Sequence, residues 1–409
     1  MEATVRDTDL ERELLTPAER AAVELAAEHA EAFRPRAEQH DRENSFPFQD
    51  FEDMKESGYL AIPVPQELGG SGVSLLGLCA AQEKLAEGAP ATALGVNMHL
   101  FTIGLVAELW KQEPEERTEA FLRAVAEGHM IVGASVSEAE TSGNNFRHAA
   151  TRAERVDGGY RITGRKIFCS ISPVMTGYTS HALYEDPERG PLLVHFLALR
   201  ESEGLEVLDN WDAMGMRPTG SNDVVLDGVF VPDELVVMER PAGQLDAFAI
   251  NSNKWFNLTF GAVYTGVAGG AKRYVEEYAR DRIRKPFPRP MSHFPAIQYL
   301  VAEMEVLIQA SRAIVWKTAY ELGGGPSEDP REFAAALTAK HVATSNAVQI
   351  VDRAMSVTGG SGFLRKSPLE RLYRDVRGAK VHPPSHYDAL EIIGKATLGV
   401  PLDAEPRWG

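Results

Sequence analysis

The first part of the chain has apolar residues at the spacing of amphipathic helices. Thr16-Pro17-Ala18-Glu19 is a capping-box pattern with proline at the first helical position, and it predicts a helix that continues to about Phe33. The segment Ala61–Gly72 is predicted to be a loop because its prolines and glycines interrupt any helical period. Further helices are expected around Phe48–Glu56, Leu75–Glu87, Thr92–Trp110 and Glu115–Glu127.

Hydrophobic and polar residues alternate between about Met130 and Val237. The alternation is clearest in Tyr160-Arg161-Ile162-Thr163 and in Leu192–Leu199, and Asp157-Gly158-Gly159 is a turn signal before the first of these segments. Short alternating strands at this spacing favour a small β-barrel or a sandwich.

Helical periodicity returns after about Ala247, in longer segments than those of the first part. Helices, then strands, then a helical bundle is the order of an α+β protein rather than of a doubly wound sheet. We therefore divide the chain into residues 1–130, 131–243 and 244–409. The helices predicted in the last region are Asn253–Arg282, Pro295–Gly323, Arg331–Gly359 and Glu391–Gly399.

Composition and charge exclude some partners. The 409 residues include 59 acidic and 42 basic side chains, which gives a formal net charge of -17. An acidic surface repels nucleic acid and anionic membranes, so neither is expected as a partner. Cys79 and Cys169 are the only cysteines, which predicts no disulfide framework and no metal site. Together with an acidic N-terminus that does not look like a signal peptide, they favour a cytoplasmic location.

Short motifs spread over nearly the whole chain indicate one family of proteins. No Gly-x-Gly-x-x-Gly motif opens a βαβ unit and no Walker loop is present, so a nucleotide cofactor must be held in another way. The motifs are Ala61–Gly72, Ala134–Glu138, Tyr160–Phe168, Met214–Ser221, Val229–Pro232, Tyr278–Arg282 and Thr358–Phe363 followed by Arg374-Asp375. In this order and at this spacing, they resemble the acyl-CoA dehydrogenase superfamily.

The resemblance implies both a fold and a cofactor. The fold would have an N-terminal helical domain over residues 1–130, a middle small β-barrel over 131–243 and a C-terminal four-helix bundle over 244–409. The expected cofactor is FAD. Lys285, Pro286 and Ser356 depart from the family pattern near the adenine end of FAD, which leaves room for FMN.

The resemblance also assigns residues to the flavin. Val136 and Ser137 match the first-strand motif, whose backbone and hydroxyl groups bind the isoalloxazine ring. Phe168 and Ser170 match an aromatic residue that covers a ring face and a hydroxyl near the flavin N5. Arg282 matches an arginine that reaches the FAD pyrophosphate of a neighbouring subunit, so a homodimer or homotetramer is expected. The other residues assigned to the cofactor are Gly143, Gly359, Gly360, Ser385 and Tyr387.

The glutamate that removes the α-proton in most of the family is missing here. Counting from Arg374-Asp375, its position is occupied by Pro383. A minority of the family carries the glutamate early in a later helix, where this chain reads Phe256-Asn257-Leu258, and the family's substrate-side arginine corresponds to Asn257. The candidate catalytic residues are therefore His382, His386 and Asp388, which bracket the usual position of the base.

These residues leave several interpretations open. Histidine titrates near neutral pH, so His382 or His386 could act as the base of a dehydrogenase with altered geometry. Either could instead donate protons in the oxygen chemistry of a monooxygenase, and Phe168-Cys169-Ser170 resembles such enzymes of this fold. Both histidines could also cap backbone groups in a proline-rich loop.

The expected activity is that of an acyl-CoA dehydrogenase-type oxidoreductase. It would carry out α,β-dehydrogenation of an acyl-CoA thioester in lipid metabolism, with hydride transfer to the N5 of FAD. The partner would be electron-transfer flavoprotein. The first alternative is a flavin-dependent monooxygenase that uses oxygen and flavin reduced by a separate flavin reductase. The second alternative is a non-catalytic flavin-binding member of the superfamily.

Overall fold

A computed structural model describes residues 13–141, 149–402 and 404. The first helix begins as predicted, because Thr16 Oγ1 accepts a hydrogen bond from Glu19 N–H and Glu19 accepts one from Thr16 N–H at 2.7 Å. It runs past the predicted end and through Pro35, because Phe33 and Ala37 are both buried in the core. The helices of this part are α1 (Pro17–Glu43), α2 (Phe48–Glu56), α3 (Leu75–Ala86), α4 (Pro90–Gln112) and α5 (Glu116–Ala126).

The middle part is a mixed sheet of eight strands. Its order is β6-β7-β3-β2-β4-β5-β8, with β1 paired to β4. The pairs β1–β4 and β2–β4 are parallel and the other pairs are antiparallel. The strands are β1 (Val132–Ala134), β2 (Arg152–Val156), β3 (Gly159–Cys169), β4 (Gly177–Asp186), β5 (Gly190–Leu199), β6 (Leu205–Val207), β7 (Asn222–Pro232) and β8 (Val236–Pro241).

The sheet curls around its own apolar core. Ile162 on β3, Phe196 on β5 and Val229 on β7 belong to one buried cluster, although β5 is separated from β3 and β7 along the sheet. Flat sheets cannot bring such side chains together, so this curvature is what makes the middle part barrel-like. No pairing joins β6 to β8 among the described strands, so the hydrogen-bonded path has two ends.

The last part is helical again and shares its core with the first part. Leu258 and Val267 of the long sixth helix lie in the same buried cluster as Leu78 of α3. The two helices pack closely, since a Cβ on Gly266 would lie 2.0 Å from the carbonyl oxygen of Glu83. The helices are α6 (Ala247–Asp281), α7 (Pro295–Leu322), α8 (Pro330–Thr358), α9 (Pro368–Asp375) and α10 (His386–Leu398).

One described helix, α4, is long and apolar enough to cross a membrane by length and composition alone. In the fold, 72% of its most apolar stretch is buried by protein. Leu94, Leu100 and Leu105 of this helix belong to the main core, which explains its hydrophobicity without a membrane.

A buried ion pair fixes the segment after β1 against the sheet. Lys166 Nζ donates to Glu138 Oε1 at 2.7 Å, and both side chains are fully buried. Glu138 also accepts hydrogen bonds from Ala150 N–H at 2.6 Å and from the Thr151 N–H and hydroxyl at 2.9 and 2.7 Å. Burial alone would raise the pKa of Glu138, but Lys166 and these hydrogen bonds outweigh it and lower the pKa to about 2.

Breaking this pair should destabilise the fold strongly. Glu138→Gln leaves the Lys166 ammonium buried without its counter-ion, and one-sided removal of such a pair costs about 3–5 kcal/mol. Urea unfolding followed by circular dichroism at pH 7 measures the loss. Arg331→Ala is the matched control, because Arg331 and its partner Asp329 form an ion pair at the surface and the change should leave stability nearly unaltered.

The same carboxylate gives a pH dependence. Because folding lowers the pKa of Glu138 from 4.5 to about 2, its contribution is fully present above about pH 4.5 and is lost as the pH falls towards 2. The stability difference between the wild type and Glu138→Gln should therefore shrink in that window. A difference that stays constant down to pH 2 would contradict the assignment.

Candidate active site

A cavity of about 710 Å³ lies between the middle sheet and the helices. This volume is within the range of small-molecule and cofactor sites. One wall is formed by the segment after β1 and the end of β3, and the other by α4, the first turns of α6 and residues 377–384. The lining is mostly apolar, with a few polar groups at defined positions. The cavity can therefore enclose a planar, partly apolar ligand and shield it from water.

Phe168 is the most prominent side chain of the sheet wall. Its backbone is left-handed, with φ of +61°, and the pairing of β3 with β7 is irregular between Lys166 and Cys169. A bulge of this kind redirects a side chain out of the normal alternation. The Phe168 ring is 55% exposed, faces the cavity, and lies 6.0 Å from the Trp211 ring in an edge-to-face arrangement. A ring in this position could cover one face of an isoalloxazine ring, which is the role predicted for Phe168 from the sequence.

Ser170 ends a chain of hydroxyl groups with a fixed direction. The Thr219 hydroxyl donates to Met216 C=O at 2.9 Å, so at 2.7 Å from Ser221 Oγ it can only accept. Ser221 must then accept from Ser170, whose oxygen lies 2.8 Å away. Each hydroxyl has one proton, so Ser170 offers only acceptor lone pairs to the cavity. An acceptor at this position suits an N–H group on the edge of a flavin.

The neighbouring Ser137 and Val136, which were assigned to the isoalloxazine ring, also line the cavity. Ile167 N–H donates to Ser137 C=O at 2.9 Å, which ties this segment to β3 beside Phe168. The residues assigned to the isoalloxazine ring from the sequence are thus brought together on one wall. Their donor and acceptor groups and the flat aromatic surface fit a flavin.

The helix wall is aromatic and carries one histidine. Phe101 and Phe256 lie edge-to-face at 5.4 Å, and His382 contacts Phe260 edge-to-face at 4.5 Å. The Nε2 atom of His382 is buried and has no hydrogen-bond partner among the described residues. Burial, reinforced by the nearby Lys340, lowers the pKa of His382 to about 3. His382 is therefore neutral at physiological pH, contrary to the expectation of a histidine that titrates near pH 7.

Lys340 holds the loop that carries His382, and the sequence did not reveal this role. Its ammonium donates to the carbonyl groups of His382, Pro383 and Pro384 at 3.2, 2.8 and 3.2 Å. Burial lowers the pKa of Lys340 to about 7, although Asp388 acts in the opposite direction. The only sequence signal was a lysine on the apolar face of α8, a position where a buried cation needs acceptors.

The described lining has no free carboxylate at the position where the family carries its catalytic glutamate. Pro383 lines the cavity where the family carries its glutamate. The alternative position of the glutamate, early in α6, has no carboxylate either. Asn257 is buried there, and its amide donates to Asn253 C=O at 2.7 Å. Among the described lining residues the only carboxylate is Glu138, which the Lys166 ion pair occupies.

The structure does not bring the other candidate catalytic residues to the cavity. Ser385 is the N-cap of α10, and its hydroxyl donates to Asp388 at 2.7 Å in a capping box. His386, the first residue of α10, faces α8 instead: its Nε2 lies 3.0 Å from Thr344 Oγ1, and its ring lies 4.4 Å from that of His341. Tyr387 is 84% exposed. Capping of α10 therefore accounts for Ser385 and Asp388, whereas the alternative considered from the sequence was that the two histidines cap backbone groups.

The residues assigned to the far end of FAD are also away from the cavity. Arg282, Gly359 and Gly360 are exposed at the ends of α6 and α8, and Arg284 approaches Gly359. A site that a second subunit completes would have such groups at the surface, so these assignments stay predictions. Gly143 lies outside the described residues.

Family models match two parts of the chain. The model for the N-terminal domain of acyl-CoA dehydrogenase matches residues 16–129, and the model for the C-terminal domain matches residues 258–385. The putative acyl-CoA dehydrogenase YdbM of Bacillus subtilis is 32% identical over 87% of this chain and 91% of its own length. The amino sugar nitrososynthase DnmZ of Streptomyces peucetius is 30% identical over 94% of each chain.

Solved structures give the same picture of the fold. KijD3 in complex with FMN and dTDP-3-amino-2,3,6-trideoxy-4-keto-3-methyl-D-glucose is 28% identical, covers 96% of both chains and superposes with a TM-score of 0.85. Butyryl-CoA dehydrogenase from Megasphaera elsdenii is 21% identical, covers 94% of this chain and 99% of its own, and has a TM-score of 0.83. The predicted α+β fold is confirmed.

Replacing Lys340 tests whether it orders the helix wall. Lys340→Met keeps the aliphatic bulk but leaves three carbonyl groups without their donor, at about 1–3 kcal/mol for buried groups left unpaired. We expect faster amide hydrogen exchange across residues 378–382, the part of the segment before its two prolines, and weaker flavin binding. Lys317→Met, at an exposed position on α7, is the control. Unchanged exchange in Lys340→Met would show that the loop does not depend on this side chain.

Proposed function

Because the chain belongs to the acyl-CoA dehydrogenase family, we propose that it binds a flavin in this cavity and acts as a flavin-dependent monooxygenase. The observation that carries the proposal is the lack of an available proton acceptor in the described lining. Position 383 is proline, and Glu138 is ion-paired with a pKa of about 2. The three histidines of the lining are poor bases, because burial lowers the pKa of His382 and of His195 to about 3 and that of His181 well below its usual value. None of these side chains is basic enough to remove the α-proton of a thioester at neutral pH.

The difference between the pKa of His382 and neutral pH favours a monooxygenase over a dehydrogenase. A general base works best when its pKa lies near the operating pH. Each pKa unit corresponds to about 1.4 kcal/mol. A base with a pKa of about 3 at neutral pH therefore loses several kcal/mol of driving force for proton removal. Oxygen insertion into a substrate does not need an α-proton acceptor, and a closed apolar pocket suits it.

The bound flavin would supply the two electrons that reduce one oxygen atom to water while the other oxygen atom is transferred to the substrate. Phe168 would cover one face of the ring and Ser170 would accept a hydrogen bond from a ring N–H. Neutral His382 can hold or donate one proton at the substrate side, since its Nε2 has no other described partner. The aromatic residues of α4 and α6 would exclude water.

Several relatives favour the monooxygenase function over the dehydrogenase function. Proteins named amino sugar nitrososynthases match this chain over almost its full length, and one structural neighbour was solved with FMN and a nucleotide-linked amino sugar. The dehydrogenase function remains the alternative, and it is favoured by the relatives named acyl-CoA dehydrogenases. We infer a separate flavin reductase as electron donor, and a cytoplasmic location, since both cysteines are buried and unpaired.

Restoring the carboxylate tests the choice between the two activities. When the flavin-loaded wild-type protein is mixed anaerobically with straight-chain acyl-CoAs from C4 to C16, we expect its flavin to stay oxidised. Pro383→Glu should gain flavin reduction by about 10²–10⁴-fold over that background, the usual contribution of one positioned base. Lys380→Glu is the control, because Lys380 lies on the same segment with an exposed side chain and does not line the cavity. Rapid bleaching of the wild-type flavin would establish the dehydrogenase instead.

The cofactor and the assembly are tested together. We propose FAD as the cofactor, with Arg282 reaching the pyrophosphate of a partner subunit in a homodimer or homotetramer. Arg282→Ala should then lower FAD retention about tenfold in gel filtration, while FMN added to the same protein binds as before. Arg280→Ala is the neighbouring control, since Arg280 is held by Glu276. A monomer by light scattering with full FAD occupancy would contradict the proposal.

A further inference from the structure

Two histidines face the cavity from the sheet, at a distance along the wall from Phe168. His181 on β4 and His195 on β5 are directly paired in the strand register, and their ring centroids lie 5.3 Å apart. His181 is only 5% exposed, and both side chains line the cavity. The Nε2 atoms of both rings are buried and have no hydrogen-bond partner among the described residues.

Such atoms are costly to leave unpaired. A buried donor or acceptor without a partner costs about 1–3 kcal/mol, and two of them lie side by side here. Packing does not require imidazoles at these positions, because among the described residues the only ring that contacts them from the helices is Phe248, edge-to-face on His195 at 4.8 Å. An apolar side chain would fill the same space without the cost. The pair therefore indicates a polar ligand group.

The cations nearest the pair are Arg240 and Lys166, and each is ion-paired with a carboxylate. Arg240 lines the cavity beside the histidines, and its guanidinium is bound by Asp246 at 2.6 Å and by the carbonyl of Gln244. Burial, followed by Arg240 and Lys166, lowers the pKa of His195 to about 3. Burial, followed by Lys166, His195 and Arg240, lowers the pKa of His181 well below its usual value. Neutral imidazoles can donate hydrogen bonds, and the Arg240 guanidinium beside them is a charged donor, so the three groups together suit an acceptor with negative charge.

We propose that His181, His195 and Arg240 form a substrate subsite that binds a carboxylate. Two imidazole N–H groups and one guanidinium match the acceptor positions of a single carboxylate. The body of the substrate would then extend past Phe248 and Phe256 towards the flavin end of the cavity, so an aryl or alkyl acid is the fitting class. This inference rests on the proposed function only in treating the cavity as the substrate site.

The test is an equilibrium binding measurement on the flavin-loaded protein with the flavin oxidised. The probes are 3-phenylpropionate and its neutral amide, 3-phenylpropionamide, titrated by calorimetry. The wild-type protein should bind the acid at least tenfold more tightly than the amide. His181→Phe should remove that preference by weakening the acid about tenfold, while the amide binds as before.

The controls separate a subsite from a structural role. His195→Leu repeats the test at the second position if His181→Phe does not fold, and His129→Phe changes an exposed histidine that does not line the cavity. Equal binding of acid and amide, or no binding of the acid at millimolar concentration, would overturn the proposal. So would loss of flavin from either variant, which would assign the pair to the cofactor. Because no turnover is involved, reduction of the flavin by acyl-CoA would defeat the monooxygenase proposal without affecting this result.

Discussion

The buried ion pair between Glu138 and Lys166 is the constraint on which the site depends. Glu138 follows the short strand β1, and Lys166 lies on β3 two residues before Phe168. The pair and its hydrogen bonds to Ala150 and Thr151 fix the segment that carries Val136 and Ser137 against the strand that carries Phe168 and Ser170. Since an unpaired charge is so costly inside a protein, neither half can shift without the other.

A second buried lysine does the same for the opposite wall. Lys340 holds the carbonyl groups of residues 382–384 and so places neutral His382 and Pro383 against the cavity. The cavity is thus bounded by two segments that have no regular secondary structure, each held by an ammonium group from a regular element. Preorganisation of this kind suits a site that must keep a flat cofactor and a substrate in register. It also explains how the loop can lose the family's glutamate and keep its position.

The sequence predicted the fold well and the site in part. Helical periods located most of the long helices and strand alternation located the region of the sheet, because amphipathic spacing reflects burial directly. Individual strands and the short helix α9 were not predicted, and the assignment of residues around Phe168 to a flavin ring came from a motif and stays a prediction. Helix α1 was predicted too short, because it continues through Pro35, where the burial of Phe33 and Ala37 on both sides of the proline sustains the helix. His386 and Asp388 could not be placed, since their direction depends on whether Ser385 caps a helix. In the sequence alone, His181 and His195 are ordinary strand residues. Only the pairing of β4 with β5 shows that they lie side by side.

The central claim is that this site has no group able to take the α-proton of a thioester. Exchange of that proton with solvent reports it directly, without any need for an electron acceptor or a known substrate. Butyryl-CoA incubated with the flavin-loaded protein in D₂O should keep its α-protons by NMR over hours, as in a sample without protein. Deuterium entering the α-position at a rate that depends on protein concentration would show that a base is present and would contradict the account.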